Sequence, residues 1–285
     1  MKVTLWGARG SIAAPGHDTL RYGGNTSCVE VRGSDGTILA LDAGTGLRAL
    51  GLSLPHHVPR VDILLTHLHM DHIQGLGFFH PLRDPDCEVH IWGPSDEEMS
   101  LREGITRYLS PPLFPVHLDE MSCKLVLHTV PGPPERVGEF SISGDRVCHT
   151  NLTVGYRLES QAGVLAYIPD HEPAFCSDGS LDAGSITSGY GLASGADILI
   201  HDALYNGSEY ERHVGWGHSS MQHTFEFGAL TGVKRLVPFH HNPSHTDAQL
   251  DQLIAETTAS GDWPFEVVPG REGSVFYLGD AQQEH

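Results

Sequence analysis

Four residues with metal-ligand side chains, His67, His69, Asp71 and His72, stand within six positions, directly after the aliphatic run VDILLT. Imidazole nitrogen and carboxylate oxygen are the donors that borderline divalent ions such as Zn²⁺ prefer. Along an extended stretch alternate side chains point the same way, so the rings of His67 and His69 can share one side. The chain then turns and offers Asp71 and His72 to a neighbouring position. Four donors packed this tightly exceed what one tetrahedral ion uses comfortably, and two ions sharing them is the natural solution. A buried strand that ends in such a cluster points to an α/β sheet with its site at the strand ends.

The rest of the chain reads as alternating strands and helices. KVTLWG, SCVEVRG and GTILALDAG are strand-like, and the third runs into the turn Asp42-Ala43-Gly44-Thr45-Gly46. LRALGL is a short helix, VDILLT a buried strand, IQGLGFF an apolar helix and CEVHIWGP a strand. Acidic helical sequence (SDEEMSLREGITRYL) and a proline-aromatic loop, SPPLFPV, precede the strands KLVLHTV, FSISGDRVCH, TVGYRLES and GVLAYIPD. Two strand–helix pairs follow, DILIHDA with SMQHTFEFGALTG and KRLVPFHH with HTDAQLDQLIAETTAS, then a last strand, SVFYLGD. Thr246 is the expected N-cap of the last helix, with Asp247 in its first turn. Without a repeat or low-complexity linker, residues 1–285 read as one α/β domain, two packed sheets covered by helices on both outer faces.

The formal charge of −19 disfavours a long polyphosphate partner, and no run of Lys or Arg suggests a hidden basic patch. Bound divalent ions would offset part of the acid excess locally. Neither a spanning apolar stretch nor a signal-peptide pattern is present, so no membrane is expected and the cytoplasm is the expected location. Cys28, Cys87, Cys123, Cys148 and Cys176 are scattered and read as thiols of a reducing compartment, without a disulfide framework.

Two ions need further donors. His149, Asp170 and His240 each stand at the end of an apolar strand, and Asp202 does the same in DILIHDA. Singly, each is as readily a capping or loop residue; beside the first cluster they supply the missing coordination. His241 would face away from its neighbour His240 and is not counted.

Together, THLHMDH, ILALDAGTG and these strand-end His and Asp residues resemble the metallo-β-lactamase superfamily over nearly the whole chain. GHSSMQHTFEFGALTGVKRLVPFHHNP is similar to its ribonuclease Z-like phosphodiesterase branch. The resemblance implies the four-layer αβ/βα sandwich. It places His67, His69 and His149 on one metal, Asp71, His72 and His240 on the other, and Asp170 as the bridge. Asp202, the competing bridge, then becomes a group that orients a ligating His. His218 would sit over the metals without ligating them, to stabilise a phosphoryl oxygen or protonate the leaving alkoxide; otherwise it is a helix N-terminal His bonded to backbone. Zinc is the implied ion, with manganese equally suited to His/Asp sites.

The implied chemistry is hydrolysis of a small phosphodiester by a metal-bridging hydroxide that Asp71 orients. A looser resemblance to bacterial and phage cyclic-nucleotide phosphodiesterases makes 3′,5′-cyclic nucleotides the first expectation. Phe114 and Trp216 offer rings that could stack on a base, although loop aromatics more often pack. Transfer-RNA trimming lacks the basic, glycine-rich insertion it would need, and antibiotic cleavage lacks a secretion signal. An ester or lactone hydrolase and a non-catalytic sensor on the same fold are the alternatives, the latter disfavoured because no expected ligand is missing. The resemblance also implies a homodimer. His171, where a small hydroxyl residue is expected, reads as a substrate contact or a solvated loop residue.

Overall fold

The computed structural model describes residues 1–173 and 187–279. In chain order the first strands are β1 (Lys2–Gly7), β2 (Cys28–Arg32), β3 (Ile38–Leu41), β4 (Arg60–Leu64), β5 (Glu88–Pro94) and β6 (Lys124–Val130). The second set is β7 (Glu135–Val137), β8 (Phe140–Arg146), β9 (Val154–Ser160), β10 (Gly163–Ile168), β11 (Ile198–Asp202), β12 (Arg235–Phe239) and β13 (Glu266–Val267), and β14 (Val275–Tyr277) is the last strand among the described residues. The helices are α1 (Gly46–Ser53), α2 (Met70–Ile73), α3 (Leu101–Tyr108), α4 (Tyr190–Ala193), α5 (Gly207–Tyr210), α6 (Met221–Thr231) and α7 (Asp247–Ala259).

The strands form two seven-stranded sheets, ordered β14-β1-β2-β3-β4-β5-β6 and β13-β12-β11-β10-β9-β8-β7. The two are built alike. Antiparallel pairing runs from β14 to β3 in one and from β7 to β10 in the other, and both continue as three parallel pairs. Parallel pairs need crossovers, and the helices supply them.

Side chains alternate across each strand and divide the core into three. Val3, Leu5, Leu39, Leu41 and Leu64 meet Tyr156, Leu165, Tyr167, Ile200 and Phe239 between the sheets. Ala40, Val61 and Ile63 face outward against Leu47, Leu50 and Ile105 of the first helical layer. Ala166, Ile168, Leu199 and Leu236 pack outward against Phe225, Phe227, Leu250 and Ile254 of the second. The result is the αβ/βα sandwich expected from the sequence.

Helix starts are set by local chemistry. Thr246 caps α7 through the backbone N–H of Gln249, whose side chain returns to the Thr246 N–H, and Ser100 with Glu103 forms the same box at α3. IQGLGFF is not one helix. α2 ends at Ile73 and a 3₁₀ turn covers Leu76–Phe78, because Gly75 lies against the carbonyl of Gly44 and Gly77 against the ring of Phe114. β8 stops at Arg146, before His149. Cys28, Cys87 and Cys123 are free and buried, but Cys148 is disulfide-bonded, which corrects the reading of every cysteine as a thiol; Cys176 lies outside the described residues.

Candidate metal centre

The parallel strands of both sheets deliver their C-terminal ends to one place between the helical layers. His67 and His69 follow β4, α2 carries Asp71 and His72, Asp170 follows β10 and His240 follows β12. His149 arrives from the loop between β8 and β9. The sandwich thus brings together residues spread from 67 to 240. His67, His69, His149 and Asp170 form one group whose ligand atoms all lie within 4.8 Å of one another, and Asp71, His72 and His240 form a second.

Hydrogen bonds hold several of these rings by one nitrogen. His67 Nδ1 lies 3.1 Å from Thr66 Oγ1, and its buried Nε2 has no hydrogen-bond partner among the described residues. His149 Nδ1 donates to the carbonyl of Gly217 at 2.6 Å, which frees Nε2. The side-chain amide of Asn151 lies 2.7 Å from His69 Nε2, and His69 Nδ1 faces His149 Nε2 at 3.4 Å. In the second group His72 Nδ1 donates to Asp42 at 2.8 Å, while His72 Nε2 and His240 Nε2 lie 3.2 and 3.1 Å from Asp71 Oδ2.

Asp170 touches both groups with different oxygens. Oδ2 is 3.8 Å from His67 Nε2 and from His149 Nε2, and Oδ1 is 3.1 Å from His72 Nε2 and 3.4 Å from His240 Nε2. That is the placement a bridging carboxylate needs.

The electrostatics ask for positive charge. Burial alone would lower His72, yet the carboxylates of Asp170, Asp71 and Asp42 outweigh it and hold the ring well above the ordinary imidazole range. Burial and then His72 push His67 well below that range, and burial carries His149 down to about 4. Asp71 and Asp170 stay below the usual carboxylate range despite burial, because His72 and His240 face both of them. Buried carboxylates and imidazoles gathered in two sets that share one Asp are a donor set that fits divalent cations.

Asp202 stands apart from both groups. Its Oδ2 accepts from His218 Nδ1 at 2.8 Å and from the backbone N–H of His171 at 3.0 Å, and Oδ1 accepts from the N–H of Leu204. It therefore orients His218, and the residue that orients His72 is Asp42. Burial would lower His218, but Asp202 more than compensates and its imidazole is raised to about 9. His218 packs against His240 and His149 and lines an open cleft of about 450 Å³ with Ser11, His69, His149, Tyr205 and Trp216.

The structure decides one open sequence reading and corrects another. Phe114 is buried against Phe78, Tyr108 and Gly77 in the first helical layer, so it has no free face for a base. His171 is neither solvated nor a substrate contact. It is fully buried, 3.0 Å from His201 Nε2 and 2.9 Å from Ser188 Oγ. Trp216, 60 % exposed, does stand at the cleft rim.

Several supporting residues escaped the sequence reading. Asp42 accepts from Thr66, His72 and Tyr167, and so steadies a ligand candidate of each group, His72 directly and His67 through Thr66. Buried Glu172 accepts from Tyr210 Oη and from the backbone N–H groups of Gly215 and Gly217, fixing the loop that leads to His218. Gly217 has φ +84°, and a Cβ there would stand 2.3 Å from His149 Nδ1. The position of Asp42 at a strand end was the one available signal.

Comparison with known proteins agrees with this architecture. The Beta-lactamase superfamily domain family matches residues 37–241. An uncharacterised Mycobacterium leprae protein is 28 % identical over 281 residues, covering 95 % of this chain and 87 % of its own. Ribonuclease Z of Brevibacillus brevis is 26 % identical over 261 residues, covering 75 % of this chain and 80 % of its own. The crystal structure of human tRNase Z, short form, superposes with a TM-score of 0.67 at 21 % identity, over 98 % of this chain and 99 % of that one. The chain belongs to the beta-lactamase superfamily, and its two-sheet sandwich is the metallo-β-lactamase fold.

Proposed function

We propose that the chain hydrolyses small phosphodiesters at a two-metal centre, with 3′,5′-cyclic nucleotides as the first class to test. The observation that carries this reading is Asp170, whose two oxygens face two separate ligand groups. His67, His69 and His149 would hold one ion, Asp71, His72 and His240 the other, and Asp170 would join them. Ions so held supply Lewis-acid polarisation of the phosphoryl oxygens and lower the pKa of water from 15.7 toward roughly 7.

The chain's own groups do the rest. Asp202 holds His218 by Nδ1, so Nε2 is the nitrogen left to hydrogen-bond a phosphoryl oxygen or hand a proton to the departing oxygen. Asp71 Oδ2 is held by the backbone N–H of Ser11 at 2.7 Å, in place to orient the attacking water. Trp216 at the rim offers a face to a base. The formal charge of −19 favours a small substrate over a long nucleic acid. Among the described residues no helix is long and apolar enough to cross a membrane.

The test is hydrolysis of 3′,5′-cyclic nucleotides and an aryl phosphodiester by zinc- or manganese-loaded protein, with His67→Ala alongside. Turnover that the variant loses supports the proposal. Absence of turnover on both classes, with cleavage of an ester or lactone panel, would replace it.

A further inference from the structure

The N-terminal residues Arg9, Gly10 and Ser11 lie far in sequence from every ligand candidate, and no step described so far uses them together. Two contacts run from this tripeptide to the second ligand group, and a third holds the loop that follows it. The backbone N–H of Ser11 donates to Asp71 Oδ2, the oxygen that also faces His72 and His240. Gly10 lies flat against His240: a Cβ there would stand 2.4 Å from its Nδ1. Arg9 is fully buried, and its guanidinium donates to the carbonyls of Gly23, Asn242 and His245, the last two just beyond His240.

The backbone adds to the same connection. Gly10 N–H donates to the carbonyl of His241 and His241 N–H to the carbonyl of Ala8, so the strand end bearing His240 is stitched to this segment. Both partners are held in unusual geometry. Ser11 has φ +59° and His240 φ +55°, the left-handed region that side-chain-bearing residues seldom adopt. A buried guanidinium is costly unless it is paired, and here carbonyls meet Nε and Nη1 while Nη2 faces the Asp247 carboxylate at 3.5 Å. Burial lowers its pKa, with Asp247 opposing.

We infer that Arg9-Gly10-Ser11 is a positioning device for the second metal position alone. It fixes the carboxylate of Asp71 and the ring of His240. No hydrogen bond runs from these three residues to His67, His69 or His149 among the described residues. Loss of the device therefore unbalances the centre, weakening one position and sparing the other. The inference rests on the two-ion reading of the centre, but its test is metal binding and needs no substrate.

The experiment titrates metal-free protein with Zn²⁺ against a competing chromophoric chelator and counts bound zinc after dialysis. Gly10→Ala, whose new methyl must displace His240, is the direct variant. The wild type should hold two zinc ions per chain and Gly10→Ala one, the second weakened by about tenfold to a hundredfold, as when outer partners of a ligand are removed. Arg9→Lys keeps the buried charge without the planar fork and should give the same asymmetry if Gly10→Ala does not fold. Circular dichroism of the metal-free forms separates misfolding from metal loss. Folded variants that bind both ions with wild-type affinity, or that weaken both equally, overturn the inference. A wild type that binds only one ion overturns the two-ion reading itself.

Discussion

His72 Nδ1 donates to Asp42 Oδ2 over 2.8 Å at a point where neither side chain meets solvent. The same carboxylate accepts from Thr66, whose hydroxyl lies beside His67, and from Tyr167 of the opposite sheet. One Asp at the end of β3 thus steadies a ring in each ligand group. Asp42→Asn preserves the size of the side chain but removes its charge, and it sets an amide where donors converge. Metal affinity should fall by about tenfold to a hundredfold at both positions. Zinc competition against a chelator measures it, and unchanged affinity would show that Asp42 serves packing alone.

Asp170 and Asp202 are both acids at strand ends of the second sheet, but they face different partners. Asp170 meets both ligand groups, whereas Asp202 holds His218 and two backbone N–H groups. Asp170→Asn should therefore release metal. Asp202→Asn should keep both ions and lower kcat on an aryl phosphodiester by about 10²–10⁴-fold, the scale of a positioned proton donor, with little change in KM. Metal counting beside steady-state kinetics tells the two apart. Loss of metal from Asp202→Asn would reassign it to the ligand set.

The difference between what was legible in the sequence and what was not follows the range of the interactions. His67, His69, Asp71 and His72 are neighbours in sequence, and the Thr246 cap is formed within four residues. Strand ends were readable from apolar runs, which is why Asp170 and His240 could be singled out; His149 was singled out in the same way, although β8 ends three residues before it. The role of Asp42 depends on Tyr167, 125 residues away, and that of Arg9 on His245, 236 residues away. No local pattern encodes such pairs. His171 was misread, and Phe114 left between stacking and packing, for a related reason: both sit in segments that look like loops, and their burial is imposed by packing from other elements. IQGLGFF carries a helix-like apolar pattern, but its two glycines are required for close approach to neighbouring backbone and to Phe114.

Among the described residues Glu172 is a buried carboxylate without a cationic partner in hydrogen-bond contact; its donors are Tyr210 Oη at 3.0 Å and the N–H groups of Gly215 and Gly217 at 2.8 and 2.6 Å. Hydrogen bonds to a charged group contribute about 1.5–3 kcal/mol each, and unpaired donors left behind cost more. Glu172→Ala should lower the unfolding free energy by at least roughly 4 kcal/mol and free the loop that bears Trp216 and leads to His218. Urea unfolding measures the first effect. The second predicts that kcat falls further than metal binding does, since Gly217 touches His149 but the metal ligands keep their other supports. Equal loss of both would mean that the loop and the metal centre unfold together.

His201 is buried on β11 and faces His171 Nδ1 at 3.0 Å, the carbonyl of Asp202 at 2.9 Å and Thr224 Oγ1 at 3.4 Å, with His223 adding a like-charge effect. Burial lowers its imidazole to about 4, with Asp202 opposing. In the unfolded chain the same group titrates near ~6.5. Between these values the unfolded state binds the extra proton, so its share of stability is complete above ~6.5 and drains away as pH falls toward about 4. At pH ~5 the loss amounts to about 2 kcal/mol. Urea unfolding of metal-free protein at pH ~7.5 and ~5 should show a smaller acid loss in His201→Gln than in the wild type, by about that amount. An identical loss in both proteins would show that the folded protein accommodates the charged ring and that the acid sensitivity arises elsewhere.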